Sequence, residues 1–157
     1  MDTISRLQTI EQLDRILARF QPLTEIPLPR DGWLKTIRTT LRMSGRQLAR
    51  QLGISPPSLH SLEANEISGG LTLANLGRVA EALNCRLVYA LVPNTSLTDE
   101  VTARARDLAE RRVRYIAHSM ALEDQAPDQA TLQAQIDNET RAILIRFPRN
   151  LWEEDDG

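Results

Sequence analysis

The chain is poor in the residue types on which several classes of protein depend. One of its 157 residues is cysteine, which excludes an intrachain disulfide and a zinc site built from several cysteines. Aromatic residues make up only 4%, so a core has to be built from Leu, Ile, Val and Ala. No apolar run approaches the ~18 residues of a membrane-spanning helix, and the start, MDTISRLQTIEQLD, lacks the basic-then-apolar layout of a secretory signal. These absences favour a cytoplasmic protein without a membrane partner.

Residues that could carry catalysis are also scarce. The only histidines, His60 and His118, lie in separate parts of the chain, so a paired metal site or a catalytic triad has no support. The sequence contains no glycine-rich phosphate loop, HExxH motif or nucleophile elbow. We therefore expect no enzymatic activity, no metal site and no cofactor.

Charge is distributed unevenly along the chain. The formal net charge is −2, but residues 30–62 hold six basic residues and one acidic residue, a balance of +5. Residues 98–157 hold thirteen acidic and eight basic residues, a balance of −5. A basic module beside an acidic one indicates a nucleic-acid contact in the basic part. Solvated helices with arginine-rich faces are the alternative.

The first half of the chain is patterned as short helices. Residues 1–29 combine an apolar helical stripe over 2–20 with an extended, proline-rich linker. Residues 30–85 hold four short helices, the first starting near Trp33. The other three are predicted to begin at side-chain caps, and the first of these three to end at a glycine in the left-handed conformation. The caps are Ser44, Ser55 and Thr72, and the glycine is Gly53.

One run of strand-forming residues follows these helices. Residues 86–92 read RLVYALV, and Pro93 ends the run. A lone strand leaves its backbone groups unpaired and needs a second strand beside it. The simplest supplier is the same strand of a second copy, which forms an antiparallel ribbon across a twofold axis; another strand of the chain or a partner protein is the alternative. We predict a homodimer through residues 86–93, with these contacts: Leu87, Val88, Tyr89, Ala90 and Leu91.

The remaining part, residues 94–157, is an acidic helical region. Apolar spacing predicts a long helix over 97–125, a break at 126–127, and a last helix that Asp128 caps. Such a region could serve oligomerisation, ligand sensing or the docking of a partner. The predicted fold class is therefore mainly α, with a helical bundle, one strand that forms a dimer ribbon, and C-terminal helices.

Residues 44–63, SGRQLARQLGISPPSLHSLE, carry the most specific pattern. Ala49 is small enough for two helices to cross, Gly53 makes the turn, and two leucines six and nine residues later point the second helix into a core. These residues resemble the Cro/repressor-like (XRE-type) helix-turn-helix family, and the resemblance extends over about 33–83. The resemblance implies that the second helix of this motif, which is the third helix of the domain, enters the major groove of double-stranded DNA. An ordinary helical hairpin is the alternative.

Position within this motif gives the candidate DNA contacts. Residues at the exposed front of the third helix would face the base edges: Ser55, Pro56, Pro57, Ser58, His60 and Ser61. Hydroxyl and imidazole groups can exchange hydrogen bonds with bases, whereas proline rings make only apolar contacts. Phosphate contacts are expected from four arginines: Arg38, Arg42, Arg46 and Arg50. A surface position without a role is the alternative for His60.

Two features depart from the family. Gly45 stands where the family usually has a glutamine that holds the DNA backbone. Pro56 and Pro57 stand where the family has polar side chains that contact base edges. We therefore expect little direct readout of bases. Specificity would then depend on DNA shape and on the half-site spacing of the dimer.

A second resemblance lies in the acidic region. Ser119 and Glu123 share a helix face at i,i+4 spacing. The pair looks like the inhibitory helix of antitoxins that silence Fic-domain enzymes, Ser/Thr-x3-Glu followed by Gly or Asn; here Asp124 follows. In that family the glutamate holds an arginine of the Fic site and blocks productive nucleotide binding. Coincidence is the alternative, since Ser96 and Glu100 show the same spacing.

Three stretches together are similar to the mobile mystery protein A family over roughly residues 30–152. They are RDGWLKTIRTTLRMSGRQLARQLGISPPSLHSLE, NCRLVYALVP and HSMALEDQ. That family is encoded beside a Fic-domain partner. The resemblance implies an antitoxin that represses its own operon by binding the operator as a dimer and inhibits a Fic-domain toxin. A plain dimeric repressor whose C-terminal helices dimerise or sense a ligand is the alternative.

Overall fold

A computed structural model of the chain describes residues 3–122 and 127–153. It is mainly helical, as predicted. The α-helices are α1 (Thr3–Leu17), α2 (Gly32–Thr40), α3 (Gly45–Leu52), α4 (Pro56–Ser68), α5 (Leu73–Ala82), α6 (Leu97–Ala121) and α7 (Gln129–Arg146). Two 3-10 helices span Ala18–Glu25 and Arg149–Trp152. The chain forms two compact units: a central unit (Pro22–Ala90) and a terminal unit (Met1–Gln21 and Leu91–Gly157).

The central unit packs α2 to α5 around one aliphatic core. Its buried residues are Leu34, Leu48, Ala49, Leu59, Val79 and Leu83. Ala49 is small, which lets α3 and α4 approach closely. Between these helices Gly53 has φ 67°, and the Ile54 N–H donates to the Ala49 carbonyl at 3.0 Å. The predicted glycine turn is confirmed.

Side-chain caps set the starts of three helices in this unit. The Ser44 hydroxyl accepts a hydrogen bond from the Gln47 N–H, and the Gln47 side chain accepts one from the Ser44 N–H. Ser55 caps α4 through the N–H of Ser58, and Thr72 caps α5. All three predicted caps are confirmed, because capping depends on residues only three positions apart.

The start of α2 is capped from a distance. Glu66, near the end of α4, accepts hydrogen bonds from the N–H groups of Trp33 at 2.9 Å and Leu34 at 3.0 Å. Two features favour glycine at position 32 beside this carboxylate. Its φ is +75°, and a Cβ there would collide with the Glu66 carboxylate. Glu66 therefore ties α4 to α2.

The terminal unit is built on the antiparallel pair α6 and α7. Its buried residues are Val101, Ala105, Ala109, Val113, Ile136, Ile143 and Leu151, and Ile10 of α1 packs against them. Asp14 of α1 caps α6, because its carboxylate accepts hydrogen bonds from the N–H groups of Leu97 at 2.8 Å and Thr98 at 3.0 Å. Asp128 caps α7 through the N–H of Thr131, as predicted.

Three sequence expectations differ from the structure. The segment expected as an extended linker continues as a 3-10 helix to Glu25, since the fixed φ of Pro22 suits that conformation. The long helix α6 ends at Ala121, before the expected residue 125. The predicted strand at 86–92 is not confirmed: residues 3–122 and 127–153 contain no strand, because a single strand has no ladder partner within this chain.

Candidate nucleic-acid interface

Helix α4 presents one polar face to solvent and buries the other. Leu59 and Glu63, four residues apart, are buried toward the core. The six predicted base-facing residues are all exposed: Ser55, Pro56, Pro57, Ser58, His60 and Ser61. The buried face packs α4 against the core and leaves its front open to a partner.

The hydroxyls on this face differ in their availability. Ser55 accepts from the Ser58 N–H at 3.2 Å, and the two hydroxyls share a hydrogen bond of 2.7 Å, so both belong to the helix cap. Ser61 donates to the Pro57 carbonyl at 3.1 Å and keeps its lone pairs. The His60 imidazole makes no hydrogen bond to any residue that the structure describes. His60 and Ser61 are therefore the side chains most able to contact base edges.

The first turn of α4 is poor in backbone donors. Pro56 and Pro57 occupy its first two positions and carry no N–H, and Ser55 uses the N–H of Ser58. A helix N-terminus normally attracts a phosphate through such N–H groups. A phosphate at this end of α4 would have to be held mainly by side chains.

Three of the four predicted phosphate-binding arginines are exposed: Arg42, Arg46 and Arg50. Arg42 and Arg50 line the same groove of about 350 Å³. Gln47 and Gln51 complete its polar wall. Sequence reasoning missed both glutamines, although the Ser-x-x-Gln capping pattern would have placed Gln47 on the first turn of α3.

Arg38 has a different position from the one expected. Its Nε donates to Glu63 at 2.7 Å, one terminal nitrogen donates to the same carboxylate at 3.0 Å, and the other donates to the Met43 carbonyl at 3.1 Å. The hydrogen bond with Glu63 raises the pKa of Arg38 above its ordinary value. The guanidinium is partly buried and all three of its nitrogens are hydrogen-bonded, so we leave Arg38 out of the interface and assign it to the contact between α2 and α4.

Arg42 has a backbone conformation that is rare for its residue type. Its φ is 55°, in the left-handed region. It ends α2 with paired hydrogen bonds, from Arg42 N–H to the Thr39 carbonyl and from Met43 N–H to the Arg38 carbonyl. This is a Schellman motif in which an arginine takes the usual glycine position. Its side chain consequently stands at the groove shared with Arg50.

The predicted dimerisation residues follow α5 in irregular backbone. Leu87 is half-buried, whereas the others are exposed: Val88, Tyr89, Ala90 and Leu91. The backbone groups of residues 86–92 form no hydrogen bond with the described part of the chain. The segment therefore has both free backbone groups and exposed apolar side chains.

Of the predicted inhibitory residues, Glu123 and Asp124 lie outside the described residues. Ser119 is exposed on α6 and donates to the Tyr115 carbonyl at 3.3 Å. Beside it an exposed apolar strip is formed by Tyr115, Ile116 and Leu122. The described residues include no group of three or more His, Cys, Asp or Glu that could hold a metal ion. In the same ranges no helix is long and apolar enough to cross a membrane.

Comparison with known proteins identifies one domain. Residues 34–89, from α2 into the irregular segment, match the Helix-turn-helix family. No curated protein and no solved structure matches the chain. The resemblance to mobile mystery protein A stays a prediction. The central unit contains, at residues 34–89, an XRE-type helix-turn-helix domain.

Proposed function

We propose that the chain is a homodimeric, DNA-binding transcriptional regulator that acts as an antitoxin and has no catalytic step of its own. DNA binding is supported by the exposed front of α4 and by the groove, lined by the end of α2 and by α3, that holds Arg42 and Arg50. In this arrangement α4 enters the major groove, where His60 and Ser61 contact bases. The exposed arginines contact phosphates, and the two glutamines of the groove support them.

DNA binding is tested with a selected operator and with unrelated DNA over a range of salt concentrations. Arg46→Ala and Arg50→Ala should weaken binding to both, and each should lower the salt slope by roughly one unit. Arg114→Ala, at an exposed position of α6, is the matched control and should change neither. His60→Ala and Ser61→Ala should alter sequence preference instead. An unchanged salt slope in the Arg46→Ala, Arg50→Ala double variant would contradict the interface.

The unpaired backbone at 86–92 supports the dimer. Seven consecutive residues form no backbone hydrogen bonds inside the described chain, so their N–H and C=O groups are free to pair with a strand of another copy. A second copy supplies an identical edge, and twofold symmetry then fixes the distance between two α4 helices. The operator is therefore expected to be a pseudopalindrome with half-sites about one helical turn apart.

The exposed apolar strip on α6 supports the docking of a partner protein. Tyr115, Ile116 and Leu122 cost free energy in water unless something covers them, and such patches mark interaction sites. Ser119, the first residue of the Ser119-x3-Glu123 motif, lies on the same helix as the strip, and through this motif the chain would inhibit a Fic-domain toxin. Glu123 would occupy the arginine that otherwise grips the nucleotide phosphate.

Inhibition is tested by adding the purified chain to the Fic protein encoded beside it and measuring nucleotide transfer. The native chain should abolish transfer, and Glu123→Gly should restore it. Glu100→Gly is the matched control, because Ser96 and Glu100 have the same spacing. Equal inhibition by Glu123→Gly would contradict the glutamate mechanism. Absence of inhibition by the native chain would favour the plain dimeric repressor.

A further inference from the structure

A cavity of about 480 Å³ lies inside the central unit, between α2, α5 and the segment that follows α5. Its apolar wall includes Trp33, Ile37, Leu76, Ala80, Leu87 and Val88. The volume falls within the range of small-molecule sites, roughly 300–1,000 Å³. It is separate from the exposed front of α4.

Two charged residues line this cavity, and they differ in what they can offer a ligand. Both carboxylate oxygens of Glu66 accept hydrogen bonds from the start of α2, so its charge is already matched by the positive end of that helix. Arg86 is exposed and makes no hydrogen bond or ion pair within the described ranges of the chain. The cavity therefore combines an apolar interior with one uncommitted guanidinium.

We propose that this cavity binds a small carboxylic acid with an apolar body. The body displaces water from the aliphatic wall, and Arg86 binds the carboxylate through two parallel hydrogen bonds. A cationic ligand is disfavoured because it would face Arg86 without a free carboxylate opposite.

Ligand binding at this cavity would also regulate dimer formation, an inference that rests on the proposed function. Leu87 and Val88 belong both to the cavity wall and to the segment that we propose to pair between copies. A bound acid and a paired strand would therefore contact the same two side chains. Ligand binding and dimer formation should be thermodynamically coupled, each changing the affinity of the other.

Octanoate is the probe for the experiment, and Trp33 is the reporter. The sequence has two tryptophans, so Trp152→Phe leaves Trp33 as the only one. In that background octanoate should change the tryptophan emission saturably, whereas octylamine and octanol, of similar size, should bind at least tenfold more weakly. Arg86→Gln should weaken octanoate binding about tenfold. Arg78→Gln, the same change at an exposed position of α5, should leave it unchanged.

A second readout protects the test against a variant that fails to fold. Cys85 lines the cavity and is the only cysteine of the chain, so octanoate should slow its alkylation by iodoacetamide in the unmodified protein. Three results would overturn the proposal. Octylamine could bind as tightly as octanoate, Arg86→Gln could leave octanoate binding unchanged, or the emission could change with protein concentration rather than with octanoate. None of these measurements requires DNA. Failure of the ligand site is therefore distinguishable from failure of the DNA-binding function.

Discussion

Arg38 and Glu63 form a two-point ion pair that joins α2 to α4 in the interior of the helix-turn-helix domain. The two nitrogen–oxygen distances are 2.7 and 3.0 Å, and the side chains are only 12% and 5% exposed. A pair this buried stabilises the fold only while both charges are present, because removing one leaves the other desolvated and unpaired.

We expect Arg38→Met and Glu63→Leu each to lower the free energy of unfolding by about 3–5 kcal/mol. The double variant should lose much less, because it replaces two charges by apolar groups of similar volume. Urea unfolding of the four proteins measures both effects. A double variant whose loss equals the sum of the single losses would contradict the pairing.

Arg42→Gly should separate stability from DNA binding. Glycine adopts the left-handed conformation freely, so relief of the strained backbone should raise the free energy of unfolding by about 1 kcal/mol. The variant would lose the proposed phosphate contact and should bind DNA more weakly, with a smaller salt slope.

Asn84→Gly is the matched control for that change. Asn84 also has φ 55° and ends α5 with the same pair of hydrogen bonds, from Asn84 N–H to Glu81 and from Cys85 N–H to Ala80. It lies outside the proposed interface, so stability should change while DNA affinity stays the same. If both variants bound DNA equally well, Arg42 would have no role in the interface.

Two tyrosines distinguish the proposed dimer contact from the proposed partner contact. Tyr89 is 71% exposed in the irregular segment and Tyr115 is 77% exposed on α6, and they are the only tyrosines in the chain. Tyr89→Asp should convert the dimer to a monomer in sedimentation velocity, because two like charges would meet near the twofold axis. Tyr115→Asp should leave the dimer intact and weaken capture of the Fic-domain protein. If Tyr115→Asp dissociated the dimer and Tyr89→Asp weakened binding of the Fic-domain protein, the dimer contact would lie on α6 and the partner contact at Tyr89.

Asp14 makes the stability of the terminal unit depend on pH. The hydrogen bond from the Thr98 side chain, with those from the Leu97 and Thr98 N–H groups, outweighs burial and holds the pKa of Asp14 below its ordinary value. A carboxyl whose pKa is lower in the folded state stabilises the fold above the unfolded-state pKa, about 3.9, and loses that effect as the pH falls through the folded value.

We therefore expect Asp14→Asn to be less stable than the native protein at pH 7 and the difference to shrink below about pH 4. Thermal unfolding followed at several pH values measures this. Asp107→Asn, the same change at an exposed position of α6, should not reproduce it. A difference that is constant with pH would show that Asp14 does not act through its charge.

The sequence was sufficient for features that depend on near neighbours. Ser44, Ser55, Thr72 and Asp128 cap helices as expected, because a cap joins residues three positions apart. The turn at Gly53 was predictable for the same reason, since glycine alone enters the left-handed region at little cost. These local signals were enough to place the helix-turn-helix and the exposed front of α4.

Long-range polar pairs were not predictable. Glu66 caps a helix that begins more than thirty residues earlier, and Asp14 caps one that begins more than eighty residues later. Arg38 was expected at the DNA because an arginine on a helix is usually exposed, and nothing near it in the chain signals Glu63. A carboxylate in a sequence does not show which distant N–H group or guanidinium it will meet.

The terminal unit is formed from two segments of the chain that are separated by the central unit, and this arrangement affects the order of folding during synthesis. On the ribosome α1 is synthesised before α6 and α7, while Pro22–Ala90 between them contains a complete core of its own. We expect the central unit to fold first during translation, because domains generally fold as units as they emerge from the ribosome. Helix α1 can make its native contacts only after α6 and α7 have been synthesised. Until then Asp14 has no α6 N–H groups to bind and Ile10 is exposed to water.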